Sequence, residues 1–251
     1  MNDLFTRTEF LIGQINFNKL VSSCVAVFGI GGVGSFAVEA LARSGIGRII
    51  IVDHDIIVPS NINRQLIATL STIDSPKVFS MEKRILDINP SCHVVSHQEF
   101  CNQNNIKDFI PDDCDYIIDA IDSVSSKLDL ISFANKMNVP IISCMGAGNK
   151  LDPTMFEISD IYETSVCPLC RVMRNKLKKM NVKSLKVVYS KEKPIKPYFK
   201  DLPPYQNSNI YSLDSTEKSH SKVIGSISFV PSVAGLIAAG QVIKDIINFS
   251  C

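Results

Sequence analysis

Apolar residues fall along this chain in two alternating rhythms: short unbroken runs bounded by turn residues, and longer amphipathic stretches at helical spacing. The run SCVAVFGI reads as a buried strand, and VGSFAVEALARSG as a helix closed by Gly45. RIIIVDHD predicts a second strand, and SPKVFSMEKRILDINP a helix stopped at Pro90. CHVVSHQ and DYIIDAID supply a third and a fourth strand, SSKLDLISFANKMNV a helix, and PIISCMGA a fifth strand. Strands separated by helices build a parallel sheet, and right-handed crossovers cover both of its faces. The expected fold class is therefore α/β: a Rossmann-like, mostly parallel sheet whose ligands bind beyond the carboxyl ends of the strands.

After about Lys150 the rhythm changes. TMFEISDI alternates as a strand with one wet face, PLCRVMRNKLKKM reads as a short basic helix, and SLKVVYS as another strand. From Lys191 to Lys222 the chain is polar with little periodicity, and a structureless stretch of this length in a compact domain is usually functional or disordered. SISFVPSVAGLIAAGQVIKDIINF predicts a strand and a closing helix, whose apolar stretch Val230–Ile243 is short for a bilayer span. Three portions follow: an N-terminal helical segment over 1–22, a Rossmann-like portion over 23–150, and a C-terminal portion of the same domain over 151–251.

Composition narrows the classes. The chain has 251 residues, 45% hydrophobic and 20% charged, which suits a globular domain and excludes a disordered or fibrous chain. The opening MNDLFTRTEF lacks the cationic-then-apolar order of a secretory signal. Eight scattered cysteines in a chain this large fit reduced thiols and a cytoplasmic location. The net charge is only +1, yet Arg171 to Lys200 holds eleven basic residues against the single acid Glu192. Such segregation points to a polyanionic partner at one place. Tyr189, Tyr198 and Phe199 are interleaved with these lysines, where aromatic rings can stack on unpaired bases.

The chemistry concentrates where the first strand meets its helix. Gly29-Ile30-Gly31-Gly32-Val33-Gly34 permits a tight turn and close approach of backbone to phosphate. Asp53 ends the next strand, where an acid accepts hydrogen bonds from ribose hydroxyls; these two features suit NAD as well as ATP. Asp55, Asn61, Arg64, Gln65 and Lys77 follow at once. A guanidinium and an ammonium at one mouth suit a triphosphate, whose developing charge must be neutralised. Asp119 and Asp122 end the fourth strand, where two acids on one rim can hold Mg²⁺. As a helix-capping residue, Asp122 has a purely structural alternative.

The series GIGGVGS, DHD, SNINRQ, PK and DAIDS resembles the ubiquitin-activating-enzyme-like superfamily of ThiF, MoeB and HesA. The resemblance implies an adenylating enzyme using ATP and Mg²⁺. Its nucleotide contacts would be Gly29, Gly31, Gly32, Gly34, Asp53, Asp55, Asn61, Arg64, Gln65, Lys77 and Asp122. Arg7, Arg64, Lys77 and Asp122 would be catalytic, with Asp122 linked to the metal. Arg7, in Leu4-Phe5-Thr6-Arg7, matches an arginine that enters the partner subunit's site, so a homodimer is implied.

The segments IDAIDSVSSK, GAG, DPT, PL-R, VVYSKEKP and GSISFVPSVAG are similar to the tRNA threonylcarbamoyladenosine dehydratase branch. That branch implies adenylation of the threonyl carboxylate of the modified anticodon-loop base, then cyclisation with loss of water. The basic residues Arg171, Arg174, Lys176, Lys178, Lys179, Lys183 and Lys186 are the expected tRNA contacts. The alternative is an adenylyltransferase acting on the C-terminal carboxylate of a ubiquitin-like sulfur carrier, and a sulfur-carrier or cysteine-desulfurase system remains a further partner. Relatives of that kind carry two Cys-x-x-Cys pairs for zinc. Here Cys167-Pro-Leu-Cys170 stands alone, so zinc is not expected. Thiol-transferring relatives carry a nucleophilic cysteine in the crossover loop, and none is expected here, since Lys191–Phe249 contains no cysteine.

Overall fold

A computed structural model describes residues 3–196 and 224–249. Seven strands form one sheet in the order β3-β2-β1-β4-β5-β7-β6. They are β1 (Cys24–Phe28), β2 (Arg48–Val52), β3 (His93–His97), β4 (Tyr116–Asp119), β5 (Ile141–Cys144), β6 (Phe156–Asp160) and β7 (Lys186–Ser190). Every neighbouring pair is parallel except β6–β7. The chain runs outward from β1 to β3 and returns to place β4 on the other side of β1. That reversal opens a crevice at the carboxyl ends of β1 and β4.

The helices are α1 (Thr6–Ile12), α2 (Gln14–Ser22), α3 (Gly34–Arg43), α4 (Lys77–Ile88), α5 (Ile106–Phe109), α6 (Val124–Met137), α7 (Pro168–Lys179) and α8 (Phe229–Ile246). Alternation along β1 sorts them into layers. Val25 and Val27 pack with residues of α3, α4 and α8. Ala26 and Phe28 point the other way, with residues of α5 and α6. All five residues of β1 are buried, which is why its sequence is a continuous apolar run with no polar alternation. A third apolar cluster seats α7 on β7 through Met173, Leu177, Val187 and Tyr189.

Helix α8 is the one helix among the described residues long and apolar enough to cross a membrane by length and composition. Its small residues Ala234, Gly235, Ala238 and Ala239 are buried instead, in close packing with α3. The strand expected just before it is not there: residues 224–228 form no ladder. Their backbone groups are taken up by loops. Asn149 exchanges bonds with Gly225, donating its N–H to the Gly225 carbonyl (2.7 Å) and accepting the Gly225 N–H on Oδ1 (2.6 Å). Asn63 Nδ2 donates to the Ser226 carbonyl (2.9 Å). Most of the expected crossover loop, with Tyr198, Phe199 and Lys200, lies outside the described residues.

Candidate active site

The glycine turn is dictated by crowding. Gly29 has φ +87°, and a Cβ there would lie 2.7 Å from the Ala120 carbonyl oxygen. At Gly34 a Cβ would lie 1.7 Å from the Gly29 carbonyl oxygen. Only hydrogen fits at either place, so β1, the turn and the loop after β4 close on one another. Asp53, one residue past β2, then fixes the turn: Oδ2 accepts the Ile30 N–H at 2.6 Å, and Oδ1 accepts the Asp55 N–H at 2.9 Å.

Lys77 opens α4 almost wholly buried, its Nζ 2.6 Å from Asp55 Oδ2 and 3.7 Å from Asp53 Oδ2. Asp55 is half-exposed and also has His54 Nε2 3.2 Å from its Oδ1. The Arg64 stem lies beside Gly32, 3.3 Å from where a Cβ would stand. Its guanidinium donates to the Ser60 carbonyl (2.8 Å) and to Asn63 Oδ1 (2.9 Å). Burial pulls its pKa down from the usual arginine value, yet a guanidinium so far above neutrality stays cationic. Gln65 is buried with its amide nitrogen nearest Gly31, and its Oε1 has no hydrogen-bond partner. An orphaned buried acceptor is costly. Asn61 is turned inward, Oδ1 accepting the Val58 N–H (3.1 Å), so it shapes the segment that presents Arg64 and Gln65. Ser35 couples that segment to the turn by accepting the Leu66 N–H and donating to the Gly31 carbonyl.

The two acids after β4 have separate fates. Asp122 is exposed on the crevice loop. It is not the cap of α6, because the N-cap position belongs to Ser123. Asp119 is fully buried and does not share a metal rim with Asp122. Its Oδ2 faces Lys127 Nζ at 3.0 Å and accepts the Ser143 hydroxyl at 2.5 Å, while Oδ1 accepts the Ile121 N–H at 3.2 Å. Lys127 donates further to the Cys144 carbonyl at 2.8 Å. A buried charge needs such a partner. Lys127 was missed from sequence; the signal was its place in the first turn of α6, eight residues after a carboxylate that ends an apolar strand.

The basic segment is more divided than its composition suggests. Arg171, Lys176, Lys178, Lys179 and Lys183 are exposed on α7 and the turn after it. Arg174 is half-buried and spends its guanidinium on Thr164 and the Ile161 carbonyl. Lys186 begins β7, at the amino end of the sheet, and pairs with Asp245 at 2.5 Å. That bond, with others from Tyr116 and Gln241, outweighs burial and holds the Asp245 carboxyl below its usual range. Tyr189 is buried, its hydroxyl donating to Glu157, so it is closed to base stacking. Arg7 is exposed on α1. The neighbouring Phe5 packs towards Gly45, at the far end of α3 from the glycine turn. Ten residues of helix separate those ends by about 15 Å. Among the described residues, no other His, Cys, Asp or Glu joins Cys167 and Cys170 in a set of three close enough to share a metal.

The arrangement brings Arg64 and the paired Lys77 to the loops around the glycine turn, where the N-terminus of α3 favours an anion. Asp53→Ala removes the pin on the glycine turn. ATP binding weakens by about 1–3 kcal/mol, the usual cost of unpaired buried groups. Calorimetry checks this, with NAD as the counter-ligand. Tight NAD binding without ATP binding contradicts the reading.

The ThiF family model matches residues 6–250. The chain is 43% identical to the tRNA threonylcarbamoyladenosine dehydratase of Bacillus subtilis (strain 168) over 97% of its own length and 94% of that protein's. It is 34% identical to tRNA threonylcarbamoyladenosine dehydratase 2 of Saccharomyces cerevisiae, over 97% of this chain and 56% of that one. The structure of Escherichia coli tRNA N6-threonylcarbamoyladenosine dehydratase in complex with ATP superposes with a TM-score of 0.85. That match has 30% identity and covers 98% of this chain and 94% of that chain. On these grounds, and on the site its residues build, the chain belongs to the ThiF family.

Proposed function

We propose that this protein is an ATP-dependent tRNA threonylcarbamoyladenosine dehydratase that works by adenylating the threonyl carboxylate. The observation that carries the reading is full-length similarity to such a dehydratase, joined to a crevice whose cations suit a triphosphate. The threonyl carboxylate oxygen attacks the α-phosphorus of ATP and pyrophosphate leaves. The carbamoyl group of the same nucleoside then displaces AMP from the acyl carbon and gives up a proton. The carboxylate oxygen departs with AMP, so water is lost without ever being released as such. Arg64, the helix α3 N-terminus and Lys77 stabilise charge as it moves onto the phosphates. Asp55 and Asp53 hold the Lys77 ammonium in place.

Magnesium fits this site through Asp122, the exposed acid of the crevice loop. Mg²⁺ commonly takes one or two carboxylates together with substrate phosphates, and there it would neutralise the pyrophosphate leaving group. Two further features belong to the same proposal. Exposed Phe10, Leu11 and Ile15 on α1 and α2 are an apolar surface suited to a second copy of this chain, and they bring Arg7 with them. The exposed lysines of α7 suit the phosphates of the tRNA anticodon arm. A cytoplasmic location, where tRNA and ATP are at hand, completes it.

Purified protein should form AMP and pyrophosphate only when given tRNA that carries threonylcarbamoyladenosine, with the modified base losing one water. Turnover driven instead by a sulfur-carrier protein would replace this reading with the alternative. The dimer has its own test. An Arg7→Ala chain and an Asp122→Ala chain, each nearly inactive alone, should regain about a quarter to a half of wild-type activity when mixed, because one site per heterodimer is intact. Confirmed heterodimers with no recovery would show that Arg7 does not act in trans.

A further inference from the structure

The Arg64 guanidinium is oriented through one of its nitrogens. Nη1 donates to the Ser60 carbonyl at 2.8 Å and to Asn63 Oδ1 at 2.9 Å, while Nε and Nη2 bond nothing else among the described residues. A guanidinium is flat with its donors in one plane, so two acceptors on one nitrogen set the direction of the whole fork. Asn63 is exposed and would swing freely if Arg64 were its only partner. It is held from the other side, where Nδ2 donates to the Ser226 carbonyl at 2.9 Å. A side-chain amide carries a donor and an acceptor on one carbon. The Ser226 carbonyl takes the donor, and that turns the acceptor to Arg64.

Ser226 has a fixed place because Asn149 grips the residue before it. The Asn149 N–H donates to the Gly225 carbonyl at 2.7 Å, and its Oδ1 accepts the Gly225 N–H at 2.6 Å. Asn149 stands at φ +57°, a left-handed conformation that asparagine adopts more readily than most residues. Its carbonyl accepts the Ile195 N–H at 2.8 Å, so one residue in the loop after β5 holds the chain at both 195 and 225. The two loops are in direct contact: a Cβ at Gly148 would lie 2.1 Å from Ile224 Cγ2. Just beyond this strap α8 begins, and its Pro231 meets the glycine turn where the Arg64 stem does. Both side chains lie 3.3 Å from where a Gly32 Cβ would stand.

We propose that Asn63 is a positioning residue for adenylation, aiming the Arg64 guanidinium by tying it to the Gly225–Ser226 strap, and that Asn149 acts through the same chain by pinning that strap. The inference rests on the reading that Arg64 meets the triphosphate. Asp53, Lys77 and the glycine turn lie outside the chain of contacts and are held by bonds of their own. Loss of Asn63 therefore frees the cation without unseating the nucleotide. A fixed charge stabilises a transition state only if it is aimed before the charge develops, and a misplacement of about 1 Å can cost about a hundredfold in rate. The loss falls on the chemical step and leaves ATP binding in place.

The test measures single-turnover AMP formation from labelled ATP and tRNA carrying threonylcarbamoyladenosine, with ATP affinity followed by calorimetry. Wild type is compared with Asn63→Ala, Arg64→Ala and the double variant. Asn63→Ala should slow AMP formation about tenfold, with the ATP Kd changed less than about twofold and the thermal midpoint unmoved. In the Arg64→Ala background the same substitution should change the rate less than about twofold, because the group it positions is already gone. Asn149→Gly keeps the left-handed backbone but loses the acceptor, and should also be slow; Asn149→Asp restores the acceptor and should recover the rate. The proposal is overturned if Asn63→Ala keeps the wild-type rate, if its effect is as large without Arg64 as with it, or if Asn149→Asp is as slow as Asn149→Gly. Wild-type protein that forms no AMP would overturn the adenylation reading and this inference together, whereas an active wild type matched by Asn63→Ala overturns this inference alone.

Discussion

The Asp53 carboxylate is the contact on which the site depends. Through one side chain the end of β2 holds the glycine turn by the Ile30 N–H, the following loop by the Asp55 N–H, and α4 by way of Lys77. A carboxylate accepting backbone N–H groups makes short, strong bonds, and those to the turn aim its remaining donors outward. The glycines supply room for the turn, and Asp53 supplies its position. Without that pin the helix dipole of α3 would still exist, but the turn would lose its tie to the end of β2 and would rest on the Ser35 bonds alone for its place beside Arg64 and Gln65.

A second buried charge organises the facing wall. Asp119 and Lys127 sit at the carboxyl ends of β4 and β5, tied to Ser143 and to the Cys144 and Asp119 carbonyls. Their role is to hold the loop from Ala120 to Asp122 against Gly29 while keeping Asp119 out of solvent. The wall thereby separates two acids three residues apart: one neutralised within the fold, the other left facing the crevice. Charge along α7 is partitioned likewise, with Arg174 used inside the chain and Lys176, Lys178 and Lys179 left outside.

Much of this was legible in the sequence because it rests on local rules. Apolar runs marked every parallel strand, Gly45 and Pro90 marked helix ends, and glycine spacing marked the turn. Long-range partnership was not legible. Nothing local distinguishes Asp119 from Asp122, since their difference is Lys127 on one side and Ser143 on the other. Tyr189 reads as one more aromatic among lysines, yet alternation along β7 turns it into the core. Lys186 reads as part of a basic run, but a strand start carries it to the opposite end of the sheet. The missing strand before α8 shows the same limit: Ser226-Ile227-Ser228 alternates as a strand does, while Asn149 claims the backbone of Gly225 just before it and the Asn63 amide claims the Ser226 carbonyl.

The claim beneath all of this is that a carboxylate oxygen attacks the α-phosphorus of ATP in this crevice. Oxygen-18 in the threonyl carboxylate of the tRNA substrate follows that bond directly. After one turnover the label should appear in the phosphate of AMP and be absent from pyrophosphate. Label in pyrophosphate, or in released water with AMP unlabelled, would contradict adenylation and with it the reading of the site.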